Sequence, residues 1–283
     1  MSAIDPAKKK ILSGSLSKMS IAFNNPIDYN LVVGDQKLSL NKLLGQKITL
    51  EYLGVINCRH CGRRTKKSFN QGFCYPCFRK LPQCDICILS PEKCHYDQGT
   101  CRDEQWGEQF CMVDHIVYLA NSSGLKVGIT RASQMPVRWI DQGAIQALPI
   151  FKVATRYQSG LLEILFKGCV SDRTNWRTML KGSVERINLK QKAKELLDTN
   201  QTPIEALQAQ FGLNAIQPII DMDEWSFEYP VKQYPTKVIS QSFDKTPMID
   251  GVLLGIKGQY LILDSGVLNI RKHTAYQIRV SVH

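Results

Sequence analysis

Eight of the ten cysteines of this chain fall between Cys58 and Cys101, and that spacing restricts its folding more than any other feature. Cys58-x2-Cys61 and Cys74-x2-Cys77 form one quartet; Cys84-x2-Cys87, Cys94 and Cys101 supply a second. A two-residue gap lets both thiolates of a tight turn reach one tetrahedral ion at about 2.3 Å. Gly62, directly behind Cys61, suits the sharp turn that such a knuckle makes. Four thiolates leave zinc no open coordination position, so the expected role is structural, contributing on the order of 10 kcal/mol to folding. The pattern predicts two structural zinc ions, with His60 and His95 as alternative ligands in place of a cysteine. Cys111 and Cys169 stand apart and are expected to pack as small apolar groups.

Other uses of cysteine fit less well. Disulfides need an oxidising compartment, and the lysines at 8 to 10 are not followed by the apolar stretch of a secretory leader. Redox pairs are expected singly beside a βαβ pattern, which is missing around this block. A zinc deaminase would place His-x-Glu ahead of Cys84 and Cys87, and the chain does not. No run reaches the roughly 18 apolar residues of a membrane span. The expectation is a cytoplasmic protein.

The formal net charge is +11, and Arg59, Arg63, Arg64, Lys66, Lys67, Arg79 and Lys80 all lie in the first half of the cysteine block. Clustered cations gain affinity for polyanions by releasing phosphate counterions. Arg63, Arg64, Lys66, Lys67, Arg79 and Lys80 are therefore the candidate nucleic-acid contacts. The alternative is a zinc-stapled scaffold whose charge is merely solvated.

Along the chain the pattern is α+β. Residues 1–56 read as a β-rich domain, 57–111 as the zinc-binding module, 183–217 as a helical segment, 218–236 as a linker and 237–283 as a second β-rich part. Whether the two β-rich ends form one domain is open, and no repeat of useful length is evident. In 112–182, strands and helices alternate. His115 to Ala120 and Leu125 to Thr130 form a hairpin around Asn121-Ser122-Ser123-Gly124. Pro136 opens a short helix, Ser159 to Lys167 carries helical apolar spacing, and Asn175 begins a further turn. Val184 to Leu197 reads as a long helix, followed by one capped by Thr202.

The hairpin, the arginine helix and the glutamate helix together resemble the GIY-YIG nuclease superfamily, in the branch whose second strand reads Lys-Ile-Gly-x-Thr. Ile116-Val117-Tyr118 stands at the first motif and Lys126-Val127-Gly128-Ile129-Thr130 at the second; Arg138, Glu163 and Asn175 follow in the family's order. Lys126 replaces the second tyrosine, and Gln142 stands where many members carry histidine. The resemblance implies a GIY-YIG-like domain over 112–182 and cleavage of phosphodiesters in DNA or RNA. It implies Mg²⁺ or Mn²⁺ on Glu163, Arg138 on the phosphate, Tyr118 or Lys126 managing the proton of the attacking water, and Asn175 orienting substrate or water. A non-catalytic nucleic-acid-binding protein on the same fold is the alternative. The whole chain also resembles a bacterial domain-of-unknown-function family with a cysteine-rich block, which supplies no activity and leaves protein partners unknown.

Overall fold

A computed structural model describes residues 11–221 and 223–283. The lysines at 8 to 10 and the rest of the first ten residues lie outside them. The described residues form a mixed α+β fold that divides into two compact units, one running up to residue 78 and resuming over 228–283, the other lying between 79 and 227. The cysteine block is thereby split: the first quartet belongs to one unit and the second to the other. Among the described residues no helix is long and apolar enough to cross a membrane.

The first unit joins the two β-rich ends in one sheet. Lys47–Asn57, from the early part, is hydrogen-bonded on one side to Met248–Lys257 and on the other to Tyr276–Val282. Ile11–Ser15 extends this sheet beyond Tyr276–Val282. Alternate residues of these strands, among them Ile48, Leu50, Ile278 and Val280, are buried, as the period of two requires of a sheet with one covered face.

This unit also contains a repeat that the sequence reading did not find. The hairpin Asp28–Val33 with Gln36–Ser39, the 3₁₀ turn Asn41–Leu43 and the strand from Lys47 are matched by Tyr260–Leu263 with Gly266–Asn269, the turn Arg271–His273 and the strand from Tyr276. Leu40 N–H donates to the Tyr29 carbonyl and Ile270 N–H to the Gln259 carbonyl, each at 2.9 Å and with the same offset between the copies. Gly45 and Ala275, at the same place, have φ of +88° and +79°. The copies are interlaced: Gly45 N–H donates to the Leu253 carbonyl, and Ala275 N–H donates to that of Leu16.

The second unit is built on an antiparallel sheet ordered Ile216–Pro218, Gln146–Val153, His115–Asn121, Leu125–Arg131. Val117, Leu119, Val127 and Ile150 pack against Leu162 and Phe166 of the helix Arg156–Lys167, and against Leu189, Ala193 and Leu196 of the helix Leu189–Thr199. The alternate residues of the hairpin, Tyr118 among them, point the other way, towards Trp139 on the helix Val137–Asp141.

Several local expectations are corrected here. The helix placed at Val184 begins only at Leu189, where the Asn188 side chain accepts from Gln191 N–H. Residues before it are held extended by buried amides: Asn121 Nδ2 donates to the Glu185 carbonyl, and Gln146 donates to and accepts from Ile187. Thr202 caps nothing, because the helix Gln201–Phe211 has already begun after Asn200. The expected linker 218–236 contains the junction between the units, at 227–228, and described residues on each side of it are paired within their own unit. Trp225–Ser226 pairs with Gln146–Val153, Trp225 and Phe227 pack on Trp139, and Val231 bridges Gly255. Burying these aromatic rings draws the segment down onto its neighbours.

Candidate active site and metal centre

Strand register decides which residues of the second unit can meet. Tyr118 lies opposite Gly128 and Ala120 opposite Lys126. Side chains alternate between sheet faces, so Tyr118 and Lys126 emerge on the same one, diagonally across the hairpin. A Cβ on Gly128 would stand 2.7 Å from Tyr118 Oη. Only glycine leaves room for the ring to lie across the neighbouring strand. Trp139 closes over it edge-on, with ring centroids 5.6 Å apart.

Both polar ends converge on one acceptor. Tyr118 Oη donates to Gln142 Oε1 at 3.0 Å, and Lys126 Nζ donates to the same oxygen at 2.7 Å. Gln142 is the residue at which the helix of Arg138 ends. Burial pushes the Tyr118 phenol up, and Glu163 adds to this, while Arg138 and the Gln142 bond oppose it. Burial, together with the Arg138 guanidinium, brings Lys126 down to about 8 against the pull of Glu163 and Asp172.

Glu163 is held by a helix with a strong start. Thr155 and Gln158 form a reciprocal capping box, and Leu162 and Phe166 anchor the buried stripe beside which Glu163 sits. Its side chain is 14% exposed and burial raises its pKa, with Lys167 opposing. Lys167 Nζ stands 3.6 Å from Glu163 and 3.1 Å from Asp172. Asp172 is brought to this region because Val127 N–H donates to the Ser171 carbonyl, tying the loop after the helix to the strand of Lys126.

Tyr118, Lys126, Arg138 and Glu163 thus interact as one group, joined by Gln142, already singled out as the residue in histidine's place, and by Asp172, which sequence reasoning missed. What the sequence did not show of Gln142 was that it serves as a shared acceptor; Asp172 gave no signal, because a loop bond delivers it. Asn175 stands apart from this group. Its Oδ1 accepts from Arg177 and Thr178 N–H and its backbone donates to Ser123, so it caps the helix Trp176–Lys181 and makes no hydrogen bond to the group.

The candidate metal centre lies in the first unit. All ten cysteines are free thiols. Ligand atoms of Cys58, Cys61, Cys74 and Cys77 lie within 4.8 Å of one another, and the sulfurs of Cys61 and Cys74 are 3.7 Å apart. A tetrahedral ion with four sulfurs at about 2.3 Å spaces them by about 3.8 Å. The quartet can therefore hold a metal such as zinc. Burial raises the Cys58 thiol, but backbone N–H groups of Cys61, Cys74 and His60 outweigh it and leave Cys58 at about 6. Cys77 is pushed up to about 12 by loss of solvent and by hydrogen bonds shared with Cys74, Cys61 and Cys58. The strand pair Arg64–Thr65 with Ile56–Asn57 and the bond from Ser68 Oγ to the Thr274 carbonyl tie the knuckles to the sheet.

Arg63, Arg64, Lys66, Lys67, Arg79 and Lys80 are exposed. Lys67 lies over the Phe69 ring, which packs against Tyr75 and Phe78. Of the second quartet, Cys87, Cys94 and Cys101 line one small cavity in the second unit; Cys84 does not, and Cys111 does.

A family model described as "Protein of unknown function (DUF2797)" matches residues 45–278. No curated protein and no solved structure matches the chain.

Proposed function

The chain belongs to the DUF2797 family, whose description assigns no activity, and from its own residues we propose that it is a metal-dependent nuclease of GIY-YIG-like design acting on DNA or RNA. The observation that carries this reading is the shared acceptor, Gln142 Oε1, which holds a phenol and an amine together beside an arginine and a glutamate. Buried polar groups are costly unless they are hydrogen-bonded, and perturbed titratable groups cluster at functional sites.

In this reading Lys126, titrating near 8, takes the proton of an attacking water at mildly alkaline pH. Tyr118 stays a neutral phenol, able to donate to an oxygen of the substrate. Gln142 fixes the orientation of both. Arg138 offers a planar fork to the phosphate. Glu163, with Asp172 beside it, would hold a Mg²⁺ or Mn²⁺ ion, and Lys167, now paired with both carboxylates, would have to give way. Such an ion supplies charge stabilisation at the transferring phosphate when bound. The exposed cations around the first cysteine quartet, with Tyr75 half-exposed beside them, support binding of a nucleic-acid chain by charge and stacking. The quartet is proposed to hold structural zinc.

A second reading is a nucleic-acid-binding protein that has lost catalysis. The ion pair of Lys167 with Glu163 favours it, because an ammonium there competes with a divalent cation for the same carboxylate. A zinc-dependent interaction scaffold is the third.

The test uses the full chain with end-labelled single-stranded DNA, duplex DNA and RNA, each with Mg²⁺ or Mn²⁺. Expected are cleavage products with wild type and none with Glu163→Gln, which still binds. Binding that weakens with added salt but gives no cleavage under any condition would select the second reading, and binding of neither kind would select the third.

A further inference from the structure

We propose that the second unit contains its own metal site, in which Cys87, Cys94, Cys101 and Cys111 hold one zinc ion and Cys84 takes no part. This set departs from the one that spacing suggests, since it replaces the member of a CxxC pair by a cysteine from outside the block. It stands apart from the nuclease reading.

Three observations support it. The four cysteines line one cavity of about 10 Å³, about the room of a single water-sized sphere. That is enough for one ion and too little for an iron–sulfur cluster. Their thiols act on one another electrostatically, Cys94 and Cys111 on Cys87, and Cys94 and Cys101 on Cys111, although no three of them have ligand atoms within 4.8 Å of one another. The sulfurs are spread more widely than in the first quartet, and Cys101 Sγ is turned towards the Asp103 carbonyl at 3.4 Å. Binding one ion would require the four side chains to turn inward about Cα–Cβ. Gly107, one turn before Cys111, leaves the space: a Cβ there would stand 3.5 Å from Cys101 Sγ and 2.9 Å from the Tyr96 ring.

The third observation is electrical. Arg156 is largely buried, with its guanidinium donating to the Ile88 carbonyl at 2.6 Å and to that of Cys87 at 3.4 Å. Arg131 lies over the Phe110 ring, and both arginines act on the Cys111 thiol. Among the described residues neither forms an ion pair with a carboxylate. Four thiolates on one divalent ion carry a net charge of about −2. Two arginine cations at its edge would balance that charge, and without it a buried guanidinium is uncompensated.

Asp85, Cys87 and His95 form a competing set, with ligand atoms within 4.8 Å of one another. Asp85 is already paired with Arg102 at 2.6 Å. His95 has both ring nitrogens engaged, Nδ1 with Thr100 Oγ1 at 2.8 Å and Nε2 facing Asp85 at 3.6 Å. These residues are placed to brace the knuckle rather than to bind the ion.

The site would fix the helix of Glu163 as well. Gly160 on that helix packs so closely on Pro91 that a Cβ would stand 2.6 Å from the proline's own. Arg156 clamps the same segment at the helix start.

Native mass spectrometry of the full chain, purified with zinc, decides the matter. Expected are two zinc ions in wild type, in Cys84→Ser and in His95→Ala, and one in Cys111→Ser. Two ions retained by Cys111→Ser, one in Cys84→Ser or His95→Ala, or one in wild type would each overturn the assignment. Should Cys111→Ser fail to fold, stepwise chelation of wild type with alkylation mapping replaces it. Cys111 must become reactive with Cys94 and Cys101 as one zinc leaves; labelling of Cys111 while both ions are still bound refutes the proposal.

Discussion

Lys126 Nζ lies 2.7 Å from Gln142 Oε1, and this bond joins a strand of the central sheet to the end of the helix that carries Arg138. The same oxygen receives the Tyr118 hydroxyl. Replacing Gln142 by alanine leaves two buried donors without an acceptor. At about 1–3 kcal/mol for each, the variant should lose about 2–6 kcal/mol of stability in urea unfolding. Gln142→Glu restores an acceptor and should recover most of that loss. If alanine proves neutral, the shared bond is not formed in solution.

Lys126 links this site to pH. Its folded value near 8 lies below the ordinary 10.5, so between those values the unfolded chain binds more protons and stability rises with pH. Lys257, buried over the rings of Tyr229 and Tyr234, is also brought to about 8 by burial and adds to the same slope. Lys126→Met should gain most over wild type below pH 8, with the gain shrinking as pH rises towards 10.5. A difference between the two proteins that does not change across this window would place Lys126 in water.

Gly128 tests the position of the tyrosine. Gly128→Ala places a methyl group 2.7 Å from Tyr118 Oη and 2.8 Å from Cζ, in a site with no free space. Displacement of the ring should cost about 1–3 kcal/mol and bring the phenol's titration back towards the ordinary tyrosine range. Ultraviolet titration and thermal unfolding read the two effects. An unperturbed, equally stable variant contradicts the described register.

Metal removal bears on the first quartet. Cys58→Ser should lose one zinc ion per chain and unfold the first unit, since a structural zinc contributes on the order of 10 kcal/mol. Strong chelators should do the same to wild type, and added zinc should restore it. Elemental analysis with circular dichroism follows both. A folded protein with no metal would remove the quartet's role.

How much of this was legible in advance follows the range of each signal. The first quartet was readable because its ligands come as two local pairs, and a knuckle is made by four consecutive residues. Hairpin strands and the glutamate helix were readable from their periods. The start at Leu189 was not, because buried Asn121 and Gln146 hold the preceding backbone extended from far along the chain. The repeat was missed for a related reason. Leu50 and Val280 occupy the same place in the two copies and pair with each other across the middle of the sheet, yet the copies share mostly the pattern of burial rather than residues.

By itself the sequence determined where metal-binding turns, strands and amphipathic helices form, since each rests on neighbours within a few positions. Tertiary structure alone decided that the two ends share a sheet, that Gln142 collects Tyr118 and Lys126, that Asn175 serves as a cap, and that Cys111 rather than Cys84 faces the second cavity. Those choices depend on strand register and on which buried polar groups find partners, and both are settled by contacts between segments that lie far apart in the chain.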